Sequence, residues 1–176
     1  LLVFLPCLSV LAKHPETTIS NEIVTAKMYL PDPEQGYYRG TRFDWSGAIY
    51  SLTFAGHEYF GEWQQSDDPY LHDRITGPVE SYGANTDVGP GRTFVRIGVG
   101  LCEKPAQSRP DQAHPFRVVN HGQWKHRQGA NWIEMIHAFK DANTQQGYHY
   151  VKRLTLVPGK SELVIDHVLT NTGKQT

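Results

Sequence analysis

The chain has 176 residues, of which 39% are hydrophobic and 20% charged; that is enough to bury a core, and it excludes a disordered tail or a helical membrane bundle. Seventeen basic against eighteen acidic side chains leave a formal net charge of -1, so no basic field exists to hold a nucleic-acid backbone and no nucleic-acid partner is expected. The aromatic share is 11%, and flat rings beyond those needed for a core can stack on the apolar faces of sugars.

Leu1 to Ala12 is a short apolar run that turns polar at Lys13-His14-Pro15-Glu16. It fits the end of a secretory signal and is too short to span a bilayer. The expectation is a signal remnant over 1–12, one domain over 13–176, and export to a periplasmic or extracellular location. A buried N-terminal strand is the competing structural reading. Removal of the run would leave Cys102 without an intrachain disulfide partner.

Strand signals follow in series. Glu22 to Leu30 alternates, with Val24, Ala26, Met28 and Leu30 forming an apolar face, and Pro31-Asp32-Pro33 ends it. Next comes a dense polar and aromatic box, Gly36-Tyr-Tyr-Arg39-Gly-Thr-Arg42-Phe-Asp44-Trp45-Ser-Gly47. A guanidinium fork donates, a carboxylate accepts from hydroxyls, and an indole stacks; these are the groups that read a sugar ring. Equally, Arg42 and Asp44 can pair on the surface of a glycine-rich turn.

Ala48 to Phe54 is the second strand, and Ala55-Gly56-His57-Glu58 is expected to turn into Tyr59-Phe60. The segment from Gly61 to Gly91 is polar and aperiodic, and loops of that length are uncommon unless functional. Asp67 to Asp73 offers at most one helical turn, interrupted by Pro69. Within the same loop Glu80 can contact substrate or transfer a proton, or pair with Arg92.

Thr93 to Cys102 predicts a third strand, Phe116 to Val119 and Trp132 to Phe139 two more, and His121 and His126 flank an expected turn. Gln146 to Val157 and Glu162 to Thr170 flank Pro158-Gly-Lys-Ser161, a turn suited to an antiparallel pair. Leu163, Ile165, His167 and Leu169 share one side, which predicts a core-facing strand with His167 hydrogen-bonded in the interior. Only polar residues follow such an inner strand, so the chain is expected to be truncated at both ends. The nine histidines show no ligand spacing, and no metal is expected. Strands with turn punctuation predict an all-β antiparallel β-sandwich.

Three stretches carry a family resemblance: Arg39-Gly-Thr-Arg42-Phe-Asp44-Trp45-Ser-Gly with the strand after it, Gly77-Pro-Val-Glu80, and the closing strands through Asn171-Thr-Gly. Their order, from about residue 22 to the end, resembles bacterial proteins of the aldose 1-epimerase (galactose mutarotase-like) superfamily. The resemblance implies a large supersandwich, incomplete here at its C-terminal end, with a cleft for a mono- or oligosaccharide. Family chemistry opens and recloses an aldose ring with a Glu as base and a His as acid, without a cofactor. Those two residues belong to regions beyond Thr176, so no catalytic residue is carried over. By resemblance, Arg42, Asp44, Trp45, Glu80 and Arg92 are the expected sugar contacts. A non-catalytic carbohydrate-binding or accessory domain of a polysaccharide-degrading protein is the alternative, because a fold does not dictate a function. Nothing in the sequence sets an oligomeric state.

Overall fold

Alternation of apolar and polar side chains every second residue makes a strand with one face to bury, and this chain repeats that pattern along most of its length. The computed structural model describes residues 13–82, 88–106 and 116–174. The strands are β1 (Glu16–Ser20), β2 (Val24–Tyr29), β3 (Ala48–Phe54), β4 (His57–Glu58), β5 (Thr93–Arg96), β6 (Gly100–Glu103), β7 (Arg117–Asn120), β8 (Gln123–Gln128), β9 (Trp132–Lys140), β10 (Gly147–Leu156) and β11 (Leu163–Asn171). They form three antiparallel sheets in the orders β1-β2-β3-β4, β11-β10-β9-β8 and β5-β6-β7. A single 3₁₀ turn, His72–Arg74, is the only helical element among the described residues. No helix there is long and apolar enough to cross a membrane. The signal-like run and Cys7 lie outside the described residues.

The first two sheets pack face to face. Ile19, Val24, Ala26, Met28 and Ile49 from one meet Ile133, Met135, Leu154 and Leu156 from the other in one buried cluster. Each fully buried aliphatic side chain contributes roughly 1.5–3 kcal/mol, so this layer holds the β-sandwich together. A second cluster gathers Tyr37, Tyr38, Trp45, Phe94, Val99 and Cys102. A third sets Leu101 of β6 against Phe139, Tyr148 and Tyr150 of β9 and β10, which seats the small sheet on one end of the second sheet.

Four sequence expectations change. The stretch from Thr93 to Cys102 is not one strand: it folds back on itself at Ile97-Gly98-Val99, so β5 and β6 pair with each other. Gly98 adopts a left-handed φ of 75°, a conformation glycine reaches without steric cost. The turn after β3 is Ala55-Gly56 alone, both left-handed, so His57 and Glu58, rather than Tyr59 and Phe60, form the return strand. His126 lies on strand β8 instead of flanking a turn. Finally, β11 is an edge strand, with Val168 and Leu169 57% and 54% exposed. Period two identifies a strand but carries no information about which side of it another strand covers.

Cys102 is a free buried thiol, and burial pushes its pKa up to about 12, which makes it a packing residue rather than a nucleophile. His137 is fully buried on β9. Its Nε2 donates to the His121 carbonyl at 2.8 Å, its Nδ1 meets the Tyr148 hydroxyl at 2.9 Å, and Trp124 stacks on its ring. Burial lowers its pKa from 6.5 to about 4. Above pH 6.5 the ring is neutral in both folded and unfolded chains; between 6.5 and 4 only the unfolded chain takes up the proton, and about 3 kcal/mol of stability is lost across that window. Asp44 acts in the opposite direction: burial raises its carboxyl to about 6, so stability is lost as pH rises through that value. The two groups oppose each other, so the wild-type stability profile is expected to rise less steeply from pH 4 to 6.5 than His137 alone would make it. In His137→Gln, urea denaturation should show stability falling as pH rises from 4 to 6; an unchanged profile would refute this balance.

Candidate functional site

The box at 36–47 is held against the long loop by main-chain bonds: Asp44 N donates to the Glu80 carbonyl at 2.8 Å, and Trp45 N to the Gly98 carbonyl at 3.1 Å. These bonds bring Asp44 and Glu80 together over the inner face of β10. That face carries Tyr148, Tyr150, Lys152, Leu154 and Leu156, all buried. Lys152 thus stands in an apolar alternation with its side chain 0% exposed.

A buried ammonium is tolerable only when its donors are satisfied and its charge is balanced. Lys152 Nζ donates to the Pro78 carbonyl at 2.8 Å and the Ser46 carbonyl at 3.1 Å, and reaches Glu80 Oε2 at 2.5 Å and Asp44 Oδ2 at 3.4 Å. Close approach of backbone makes the cage possible. Gly47 has φ +85°, and a Cβ there would sit 2.5 Å from Nζ. A Cβ on Gly98 would sit 2.5 Å from the Asp44 Cβ. Asp44 in turn accepts from Ser46 N at 2.5 Å, from the Ser46 hydroxyl, and from the Tyr150 hydroxyl at 3.2 Å. Burial outweighs the neighbouring Lys152 and Ser46 donors and holds its carboxyl above the ordinary carboxylate range.

The cluster opens to solvent at Glu80 and His167, whose side chains are 30% and 33% exposed. Glu80 Oε1 lies 3.3 Å from His167 Nε2. His167 Nδ1 lies 3.0 Å from the Tyr150 hydroxyl and 3.1 Å from the Tyr82 hydroxyl, and those two hydroxyls are 2.8 Å apart. With the Tyr150 hydroxyl donating to Asp44, the Tyr82 hydroxyl has one proton to give to Tyr150 or to Nδ1, and Nε2 donates to Glu80, an assignment made from hydrogen bonding. A chain of proton-carrying groups therefore runs from the surface pair through Tyr150 to Asp44 and Lys152. Burial pushes both tyrosines above their ordinary range, so they serve as neutral hydroxyls.

Of the five expected sugar contacts, Asp44 and Glu80 belong to this cluster and the other three do not. Trp45 is buried among aromatic side chains, its indole N–H donating to the Gly40 carbonyl at 2.7 Å, and it lines a separate cleft of about 460 Å³ with Arg39 and Tyr70. The Arg42 guanidinium is exposed and lies 5.2 Å from the Phe43 ring centroid; it is the Arg42 carbonyl that is used, accepting from Ser81 and Arg96. Arg92 is exposed in the turn before β5, so Glu80 pairs with Lys152 and His167 and not with Arg92. Sequence reasoning missed Tyr82, Tyr150 and Lys152. A lysine in register with buried β10 positions was the available signal for Lys152. His167 was expected in the core; on the edge strand it instead faces the cluster.

Among the described residues, no group of three or more His, Cys, Asp or Glu side chains is arranged to hold a metal ion. Comparison of the chain with family models, with curated proteins and with solved structures yields no match.

Proposed function

We propose that this chain binds a mono- or oligosaccharide at the Glu80–His167 opening and interconverts anomers or epimers by general acid–base chemistry. One observation carries the reading: a carboxylate and an imidazole, both reachable from solvent, meet at 3.3 Å with their outer sides held by Lys152 and two tyrosine hydroxyls. Glu80 accepts the proton of the anomeric hydroxyl. His167, entering the step as the imidazolium with a proton on each ring nitrogen, donates the Nε2 proton to the ring oxygen as the ring opens and is left neutral with Nδ1–H on the tyrosine hydroxyls. Reclosure on the other face of C1 reverses both transfers. Lys152 keeps Glu80 oriented, and Asp44, Ser46 and Tyr150 keep Lys152 and His167 in place. The aldose 1-epimerase resemblance implies the same class of chemistry without a cofactor but places its own acid and base beyond Thr176, so the roles given to Glu80 and His167 rest on their geometry here. The apolar run at Leu1–Ala12 supports an exported, periplasmic or extracellular setting.

A second reading is sugar binding without catalysis. It is favoured by the cleft lined by Trp45, Arg39, Tyr70, Phe116 and His121, where rings and a guanidinium surround a space large enough for a sugar unit. Polarimetry across a panel of aldoses, with calorimetric titration alongside, separates the two. Acceleration over spontaneous mutarotation supports the enzyme. Saturable binding with no acceleration supports the binding module, and the absence of both refutes a saccharide ligand.

A further inference from the structure

The long loop also builds a second cleft, of about 690 Å³, that shares no residue with the Glu80 cluster. Its lining includes Tyr29, Tyr37, Glu62 and Arg74. Arg74 is 3% exposed, and its Nε and Nη1 have no hydrogen-bond partner among the described residues. Its guanidinium carbon stands 3.9 Å from the Tyr37 ring centroid. A guanidinium does not shed its proton at accessible pH, so this is a permanent buried cation lying against a ring face. Cation–π attraction offsets part of the desolvation cost but satisfies no N–H.

The three carboxylates of the lining are already engaged, Glu16 by the Tyr50 hydroxyl at 2.9 Å. Glu62 accepts from the Tyr29 hydroxyl at 2.6 Å, and Asp67 pairs with Lys13. Tyr29 and Tyr37 stack at 4.2 Å, and their hydroxyls are also committed, to Glu62 and to the Arg74 carbonyl. The cleft thus has two buried, unpartnered guanidinium N–H groups in its wall, a carboxylate with acceptor capacity remaining, and flat apolar surface.

We infer that this cleft binds a small hydroxylated carboxylate of the uronic acid type, its carboxylate on Arg74 and a hydroxyl donated to Glu62. An unpartnered guanidinium N–H gives a carboxylate oxygen a charge-assisted hydrogen bond. Glu62 repels a second negative charge and accepts a hydroxyl, which favours a sugar acid over a phosphate ester.

Titration calorimetry of the whole chain with glucuronate, glucose and inorganic phosphate tests this. Glucuronate is expected to bind, with glucose and phosphate each at least ~tenfold weaker, the ratio set by loss of a charged hydrogen-bond pair. Arg74→Met is expected to lose glucuronate binding by a similar factor while keeping or raising the melting temperature, because the replaced cation has unsatisfied donors. Glu62→Gln should bring phosphate affinity up towards that of glucuronate. No glucuronate binding, equal binding of phosphate to the wild-type chain, or a lower melting temperature in Arg74→Met would each overturn the assignment. Mutarotation rates are a separate readout, so failure here and failure at the Glu80 cluster are distinguishable.

Discussion

Lys152→Met is expected to destabilise the protein by about 3–5 kcal/mol, the usual cost of removing one partner of a buried ion pair. Methionine matches the lysine stem in length and packs well in strands of this kind, so lost volume does not account for the effect. The cost arises because Asp44 is itself fully buried and would be left beside Glu80 without a compensating cation. Two main-chain carbonyls, of Ser46 and Pro78, would also lose their donor. Adding Asp44→Asn to Lys152→Met should restore part of the loss, since the second change removes the stranded charge. Equilibrium urea denaturation of the two single variants and the double variant gives the cycle. A Lys152→Met protein within about 1 kcal/mol of wild type, below the cost of an uncompensated buried charge, would show that Asp44 does not depend on this ammonium.

Glu80→Gln is expected to lower the sugar-interconversion rate by at least ~10²-fold, the range for losing a general base. The amide keeps the shape of the carboxylate and can still accept from Lys152, but it cannot take a proton. Folding should persist, because Lys152 retains Asp44 and both carbonyls. His167→Asn should produce a drop of the same order, and the double variant little more than either single one, since residues acting as a pair are strongly non-additive. Polarimetric progress curves at saturating sugar measure all three. A folded Glu80→Gln protein that turns over at the wild-type rate would remove Glu80 from the chemistry.

The element types were legible in the sequence because they depend on local period. Val24, Ala26 and Met28 alternate and are buried as that pattern demands, and Pro158-Gly-Lys-Ser161 joins β10 to β11 as a tight antiparallel connection. Where two glycines interrupt an alternating run, at Gly98 and Gly100, the periodicity reads through a reversal of direction, and one expected strand is two. β1 and β8 went unread because their apolar positions are sparse: β8 is almost wholly polar and is held by its ladder to β9.

The candidate site divides along the same line. Sequence selected Asp44 and Glu80 as chemistry-bearing residues in a glycine-framed box and a long polar loop, since composition and turn residues show where backbone departs from regular strands. It could not show that Asp44 and Trp45, adjacent in the chain, serve different clefts. Nor could it show that Lys152, more than seventy residues beyond Glu80 in sequence (|i−j| = 72), supplies the cation that both carboxylates share. The all-β character and the buried face of β2 were thus settled by sequence, through steric periodicity along neighbouring residues. Tertiary packing alone decided the buried Lys152 cage, the placement of His167 over Tyr150 and the unpartnered Arg74, because charge balance and burial depend on which distant segments meet, and that is a property of the assembled sheets.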